Sequence, residues 1–346
     1  MPDRSIPNPP PATHRRRRAS LRAVLALALA LVPALAALLA PARAVAQEWP
    51  AARPLRIVIA FGAGSASDIY ARMIAERLQK GLGQAVIVES RPGASGQIAA
   101  EAVARAPADG YTLFVTTNTT HSANPFLFRR LPYDPIRDFT PIARVGYFPF
   151  VLLVDAARPW RSVADLIAHA KANPGTVSYA YSSSAGQIPA AALAIATRMD
   201  AVGIAYKASP QALTDVAGGQ ATFTIVDLAT SQPFVKSGRL RPLAVTPVER
   251  TSLAPDLPTL REAAGLADFG VTAWLGVFGP AGLPKPIVDR ISAEVLALFA
   301  QDEVRQRMVA TGVEPAPAGP AEFEAFVRAQ LDVWERQIRI AGVKPE

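Results

Sequence analysis

The chain has 346 residues, carries a formal net charge of +8, and contains no cysteine and only three histidines. The lack of cysteine excludes a disulfide framework, a thiolate nucleophile, a thiolate metal site and a lipid anchor on cysteine. A hydrolytic triad or a histidine-based metal site needs histidines, of which the chain has few. We therefore expect no enzyme, no metal site and no cofactor.

Residues 1–46 have the composition of a cleavable signal peptide. Four arginines from Arg15 to Arg18 precede an apolar run, residues 23–40, which Pro33 interrupts. Ala44-Val45-Ala46 then matches the small-x-small pattern after which signal peptidase cuts. The alternative is a permanent membrane anchor, for which this run is at the short limit. We predict export to the periplasm and cleavage after Ala46, by the general or the twin-arginine route.

Removing this segment changes the meaning of the net charge. Residues 1–46 hold seven of the 36 basic residues and one of the 28 acidic residues, which leaves 29 basic and 27 acidic residues. So small an excess provides no large basic surface for nucleic acid or an anionic membrane. We therefore expect no nucleic-acid partner.

The rest of the chain alternates between strand and helix patterns, which predicts an α/β fold with mostly parallel sheets. The first part follows the order β-α-β-α-β. Its predicted strands are residues 55–61, 85–89 and 111–115, and its predicted helices are residues 67–80 and 96–104. Residues 124–142, rich in Pro, Arg and Asp, are predicted to form an ordered loop.

A second cycle of strands and helices extends from residue 149 to residue 245, and one of its predicted helices begins at Pro189. The C-terminal region is helical from Pro286, and its last helix, residues 320–340, carries one apolar stripe that needs a surface to cover. We expect these helices to return to the first domain. The prediction is two doubly wound α/β domains joined by two crossings: residues 47–147 plus 272–346, and residues 148–271.

Three loops of small polar residues each follow a predicted strand: residues 62–67, 116–120 and 182–186. Ligands of open α/β sheets bind at the carboxyl ends of the strands. Free N–H groups at a helix start hold carboxylates or phosphates without a charged side chain. The alternatives are ordinary tight turns or, for Gly62-x-Gly64, a dinucleotide site, although Ser67 occupies the place of its third glycine.

The candidate ligand-binding residues come from these loops and from nearby strand ends. Asp68 and Asp227 are interpreted as ligand contacts or helix caps, and Phe61 and Tyr206 as pocket walls or core residues. Asp227, if it faces the cleft, would favour an amino or hydroxy acid; His121 is interpreted as a loop hydrogen-bond donor. The predicted site consists of Phe61, Gly64, Ser65, Ser67, Asp68, Thr117, Asn118, Thr119, Ser183, Ser184, Gly186, Tyr206 and Asp227.

A series of short motifs extends from Trp49 to Lys344. They include Ile57-Val58-Ile59-Ala60-Phe61, Glu89-Ser90-Arg91-Pro92-Gly93, Asp109-Gly110-Tyr111-Thr112-Leu113, Leu257-Pro258-Thr259-Leu260 and Trp274-Leu275-Gly276-Val277-Phe278. In this order they resemble the motifs of the Bug proteins, the periplasmic solute receptors of tripartite tricarboxylate transporters.

The resemblance implies a type II periplasmic-binding-protein clamp that closes around a small carboxylate: a di- or tricarboxylate, an amino acid or an aromatic acid. It implies that backbone groups and bridging waters in the three loops hold the ligand. It also implies delivery to membrane transporter subunits, and we expect a monomer. The alternative function is a periplasmic ligand sensor that signals to a membrane sensor kinase.

The chain departs from the family's usual residues at three places near the expected ligand. Gly64-Ser65 stands where the family has Gly-Gly, and Ala190 stands where it has His. Ala205-Tyr206-Lys207-Ala208 replaces Pro-Tyr-Lys-Gly. These differences concern the choice of ligand and leave the expected fold unchanged.

Overall fold

A computed structural model describes residues 49–267 and 269–345 of the chain. The predicted signal peptide, with its cleavage site after Ala46, lies outside the described residues. In the part of the chain that the structure describes, no helix is long and apolar enough to cross a membrane.

The first sheet has six strands: β1 (Leu55–Ile59), β2 (Val86–Ser90), β3 (Thr112–Thr117), β4 (Phe139–Phe148), β10 (Ala273–Pro280) and β11 (Glu314–Ala318). Their order across the sheet is β11-β4-β10-β3-β1-β2. β1 is buried except at Arg56, as expected of a central parallel strand covered on both faces.

The second sheet has five strands: β5 (Phe150–Asp155), β6 (Val177–Tyr181), β7 (Ala201–Ala205), β8 (Phe223–Asp227) and β9 (Leu240–Val245). Their order is β7-β6-β8-β5-β9, and β6 runs parallel to both β7 and β8.

The helices of the described residues are α1 (Ala66–Leu82), α2 (Gln97–Ala104), α3 (Asn124–Leu127), α4 (Val163–Ala172), α5 (Ser184–Thr197), α6 (Ser209–Ala217), α7 (Leu228–Lys236), α8 (Leu260–Ala264), α9 (Lys285–Phe299), α10 (Asp302–Ala310) and α11 (Pro320–Ile340). A 3₁₀ turn, Ala94–Gly96, precedes α2, and a π-helix, Thr119–Ala123, precedes α3.

The chain passes between the sheets twice, at Pro149 and between Val245 and Ala273. The strands that follow these crossings, β5 and β10, pair antiparallel with their neighbours. Two parallel neighbours are joined by a long crossover connection, usually a helix. Neither β5 nor β10 is joined to a neighbouring strand in this way. The prediction of mostly parallel sheets was therefore wrong for these strands, and both sheets are mixed.

Two segments differ from the predicted elements. Residues 124–142, predicted as a loop, contain α3 and the start of β4. The helix predicted to begin at Pro189 begins at Ser184, with the proline inside it. β11, with the sequence Glu-Pro-Ala-Pro-Ala, was not predicted at all; it forms because an edge strand tolerates prolines that a central strand would exclude.

The last helix, α11, packs on the first sheet through its apolar stripe. The ring of Phe323 lies 5.5 Å from Trp274 and 4.8 Å from Phe278, both on β10. Gly276 lies between these two residues of β10, and the Phe323 ring occupies the place that a Cβ at position 276 would take. The absence of one methyl group therefore sets how closely α11 approaches β10.

Gly276→Ala should lower the free energy of unfolding by about 1–3 kcal/mol, because a buried ring would have to move in a packed core. Urea denaturation measures this change. Gly218→Ala is the matched control, since its φ of −92° suits alanine and its new Cβ would approach nothing closer than 3.4 Å. Equal stability of the two variants would contradict this account of the packing.

Candidate functional site

The loops that follow strands of both sheets meet at one place. Ser184 Oγ, at the start of α5, donates to Thr119 Oγ1 at 3.0 Å and accepts from Asn118 Nδ2 at 3.3 Å. Gly62, after β1, faces Ala208, before α6, and a Cβ on Gly62 would lie 2.7 Å from the Cβ of Ala208. The carboxyl ends of parallel strands from the two sheets therefore face each other, where open α/β sheets bind ligands.

A small central cavity lies where these loops meet. Its volume is about 30 Å³, which corresponds to one water molecule or one oxygen-bearing end of a ligand. Seven of the predicted site residues line it: Phe61, Ser65, Ser67, Thr117, Asn118, Ser183 and Asp227.

Two helix N-termini reach this cavity. The N-cap of α1 is Ser65, whose Oγ accepts from the Asp68 amide, and the N-cap of α5 is Ser183, whose hydroxyl makes no capping bond. The first amides of each helix have no acceptor within their own helix. Since each N-terminus carries a partial positive charge, the pair forms an environment suited to a carboxylate.

Among the described residues that line the central cavity, the one ionisable side chain is acidic. No lysine or arginine is among the described residues that line it, but Asp227 is. Asp227 Oδ1 accepts from the Thr230 amide at 2.8 Å and caps α7. Burial raises the pKa of Asp227, and the hydrogen bond from Thr230 opposes that rise. Asp227 is thus a cap that also faces the cavity.

A larger outer cavity, of about 300 Å³, shares Phe61 and Ser182 with the central cavity. Both sheets contribute to its wall: Ala60, residues 93–96, Leu127 and Phe128 from the first, and Tyr181, Gln187 and residues 205–207 from the second. Val343 and Lys344, which follow α11, complete it.

One wall of the outer cavity is a strained turn. Gly93, Ala94, Ser95 and Gly96 have φ values of 128°, 45°, 51° and 83°, and the left-handed region costs a non-glycine residue roughly 1–2 kcal/mol. The buried Asn124 holds this turn, because its Nδ2 donates to the Ser95 carbonyl at 3.0 Å. The wall is therefore held in one conformation.

A family model described as "Tripartite tricarboxylate transporter family receptor" matches residues 70–343. This chain belongs to that receptor family. Its members are periplasmic solute receptors. The predicted family and the predicted fold class are both confirmed.

Individual members resemble this receptor along nearly all of their length. A UPF0065 protein of Bordetella bronchiseptica is 38% identical over 97% of this chain and 98% of its own. The solved structure of Rpa4515 of R. palustris with adipate is 35% identical, with a TM-score of 0.82 over 86% of this chain and 100% of that one. MatC from Rhodopseudomonas palustris with bound malate is 30% identical, with a TM-score of 0.77 over 83% and 99%.

Some predicted residues of this receptor lie behind the central cavity and support it. The Gly64 amide donates to Asp68 Oδ2 at 3.0 Å, and Asp68 Oδ1 pairs with Arg72 at 2.9 Å. Thr119 and Ser184 bridge the two sheets through their hydroxyl groups. The four predicted residues, Gly64, Asp68, Thr119 and Ser184, line neither cavity.

Two further predicted residues, Gly186 and Tyr206, lie outside the central cavity. A Cβ on Gly186 would collide with the carbonyl oxygen of Ile225, so this glycine lets α5 pack against β8. Tyr206 lines the outer cavity and donates to Asp215 Oδ2 at 2.7 Å. The Tyr206 hydroxyl thus bonds to a residue of α6, the next helix along the chain.

Six residues that line the central cavity were not among the predicted site residues: Ala66, Phe148, Phe150, Ser182, Ser209 and Ala273. Ser182 and Ala66 belong to the loops that sequence reasoning identified. Ser209 precedes Pro210 at a helix start, which is a local signal that could have found it. Phe148 and Phe150 flank the first crossing, whose position no local pattern indicates.

The departures from the family's usual residues fall at different depths. Ala190 is fully buried in α5 and lines neither cavity. Ser65 caps α1, and Ala208 fills the space opposite Gly62.

In the part of the chain that the structure describes, no cluster of histidine and acidic residues could hold a metal ion.

The interpretation of His121 as a loop residue was wrong, whereas its role as a hydrogen-bond donor stays a prediction. His121 is fully buried in the π-helix, and its ring stacks on Phe278 with centroids 4.0 Å apart. Its Nδ1 lies 2.9 Å from Thr120 Oγ1. Burial lowers the pKa of His121 to about 3. The ring therefore stays neutral and forms part of the aromatic core beneath the site.

The buried His121 should make the protein less stable in acid. The unfolded chain takes up a proton near pH 6.5 and the folded ring does so near pH 3, so stability falls as pH drops through this interval. Urea denaturation should show wild type losing up to about 1.4 kcal/mol per pH unit relative to His121→Phe. Parallel pH profiles for the two proteins would contradict this prediction.

Proposed function

We propose that this receptor captures a small organic carboxylate at the central cavity and delivers it to the membrane subunits of a tripartite tricarboxylate transporter. The observation that carries the proposal is the convergence of two helix N-termini on one cavity that no described lysine or arginine lines. Unpaired amides bind carboxylate oxygens, and the helix dipoles favour negative charge. Adipate and malate, present in the two related structures, are carboxylates.

Capture proceeds by closure of two lobes, residues 47–147 with 272–346 and residues 148–271. The chain crosses between them twice, and such crossings act as hinges in clamp proteins. In the closed arrangement Ser184 bonds Thr119 across the cleft, so opening must break this contact to admit a ligand. Binding changes no covalent bond, and the working protein is a periplasmic monomer that begins after Ala46.

Ser183→Trp should abolish carboxylate binding, because an indole ring has no room beside a cavity of about 30 Å³. Isothermal titration against a panel of di- and tricarboxylates, amino acids and aromatic acids should show at least a roughly 100-fold loss of affinity. The fold should survive, since the Ser183 hydroxyl makes no capping bond.

Ser237→Trp is the matched control, because Ser237 is exposed at the end of α7. It should bind like wild type. If folded wild type binds no acid of the panel, or if Ser183→Trp binds with unchanged affinity, the proposed site is wrong. Uptake of the bound acid should fall in cells that lack the receptor, which tests delivery.

The acidic side chain in the cavity sets a second expectation. An ionised Asp227 repels a bound carboxylate unless the ligand carries a hydroxyl or amino group that donates to it. Asp227→Asn keeps a helix-capping side chain and removes the charge. Its preference for an amino or hydroxy acid over the unsubstituted acid should fall roughly tenfold by titration calorimetry. An unchanged preference would contradict a ligand contact by Asp227.

A further inference from the structure

The sizes of the two cavities determine where most of a ligand lies. This step rests on the proposed function, in which one carboxylate occupies the central cavity. The central cavity measures about 30 Å³ and the outer cavity about 300 Å³. One oxygen-bearing end of a ligand fills the central cavity. Because Phe61 and Ser182 line both cavities, the outer cavity is the adjacent space for the remainder of the ligand.

The lining of the outer cavity combines apolar and cationic side chains. Phe61, Leu127 and Phe128 offer apolar surface to a hydrocarbon segment. Lys207 and Lys344 supply two ammonium groups, and no aspartate or glutamate is among the described residues that line this cavity. Neither lysine forms an ion pair with a residue that the structure describes. The outer cavity therefore suits a second negative charge.

The two lysines reach the cavity from different parts of the chain. Lys207 follows β7 and precedes α6 in the second lobe. Lys344 belongs to the segment after α11, and this segment contacts α5, because a Cβ on Gly342 would lie 2.6 Å from Ile195 Cδ1. The C-terminal segment and the β7–α6 loop thus meet at one cavity, and each contributes one lysine to its lining.

We propose that the outer cavity is a second subsite, in which Lys207 and Lys344 bind the distal carboxylate of an elongated α,ω-dicarboxylic acid. The helix N-termini hold the proximal carboxylate, and the apolar wall holds the connecting chain. Lys207 and Lys344 are specificity-determining residues, because a monocarboxylate of the same length leaves both ammonium groups without a partner.

Titration calorimetry with succinate, adipate and suberate, and with the matched monoacids butanoate, hexanoate and octanoate, tests the subsite. Wild type should prefer one of the longer diacids to the monoacid of the same length. Lys207→Gln should weaken binding of that diacid about 5- to 10-fold, as expected for a partly exposed ion pair. Lys207→Gln combined with Lys344→Gln should bring diacid and monoacid to similar affinity.

Monoacid affinity should stay within about twofold in these variants, since the proximal site is unaltered. Lys236→Gln, at the exposed end of α7 away from both cavities, is the matched control and should bind like wild type. If acids bind and the double variant keeps the full preference for the diacid, the second subsite is wrong and the proposed function stands. If no acid binds to folded wild type, the proposed function fails and the subsite fails with it.

Discussion

The organisation of this receptor depends on one constraint: the first amides of a helix have no acceptor within that helix. Where α1 and α5 begin, these amides lie at the closed junction of the two sheets, and a buried amide without a partner costs about 1–3 kcal/mol. In the proposed binding mode, a bound carboxylate supplies an acceptor to those first amides that the helix leaves unpaired. In the proposed clamp, ligand binding and lobe closure are therefore coupled: closure buries the amides, and the carboxylate supplies their acceptor.

The same constraint explains the small residues around the site. An anion held by backbone must approach the backbone, and a larger side chain at Ser65 or Ser183 would prevent this. Close approach is also required between the lobes, since a Cβ on Gly62 would lie 2.7 Å from the Cβ of Ala208. With alanine at position 208, glycine at position 62 becomes necessary for the observed distance. With the family's usual glycine at position 208, a side chain at position 62 would meet no Cβ there. Because this chain has Ala208 instead, the close approach of the two loops depends more strictly on Gly62.

Local patterns in the sequence were sufficient to locate the loops, because each loop lies between an apolar strand pattern and a helix start. Ser65, Ser67 and Ser183, which line the central cavity, were predicted as site residues in this way. Which strands pair was not readable, because pairing across a crossing depends on contacts far apart in sequence. Phe148 and Phe150 line the cavity only because Pro149 carries the chain from one sheet to the other. Similarly, the prolines of β11 argue against a strand until its edge position is known.

The electrostatics of the two cavities divide recognition into separate parts. In the proposed binding mode, the helix dipoles of the central cavity face the proximal carboxylate, and the buried Asp227, whose pKa is raised, lines the same cavity. This part would then distinguish ligands by the group next to that carboxylate. The outer cavity has no described acidic residue in its wall but is lined by Lys207 and Lys344, so in the same proposal it recognises the distal end of the ligand. Backbone groups cannot be replaced by point substitution, whereas lysines can. If the proposal holds, the fold itself constrains the proximal site, whereas substitutions in the outer wall can alter the ligand choice of this receptor.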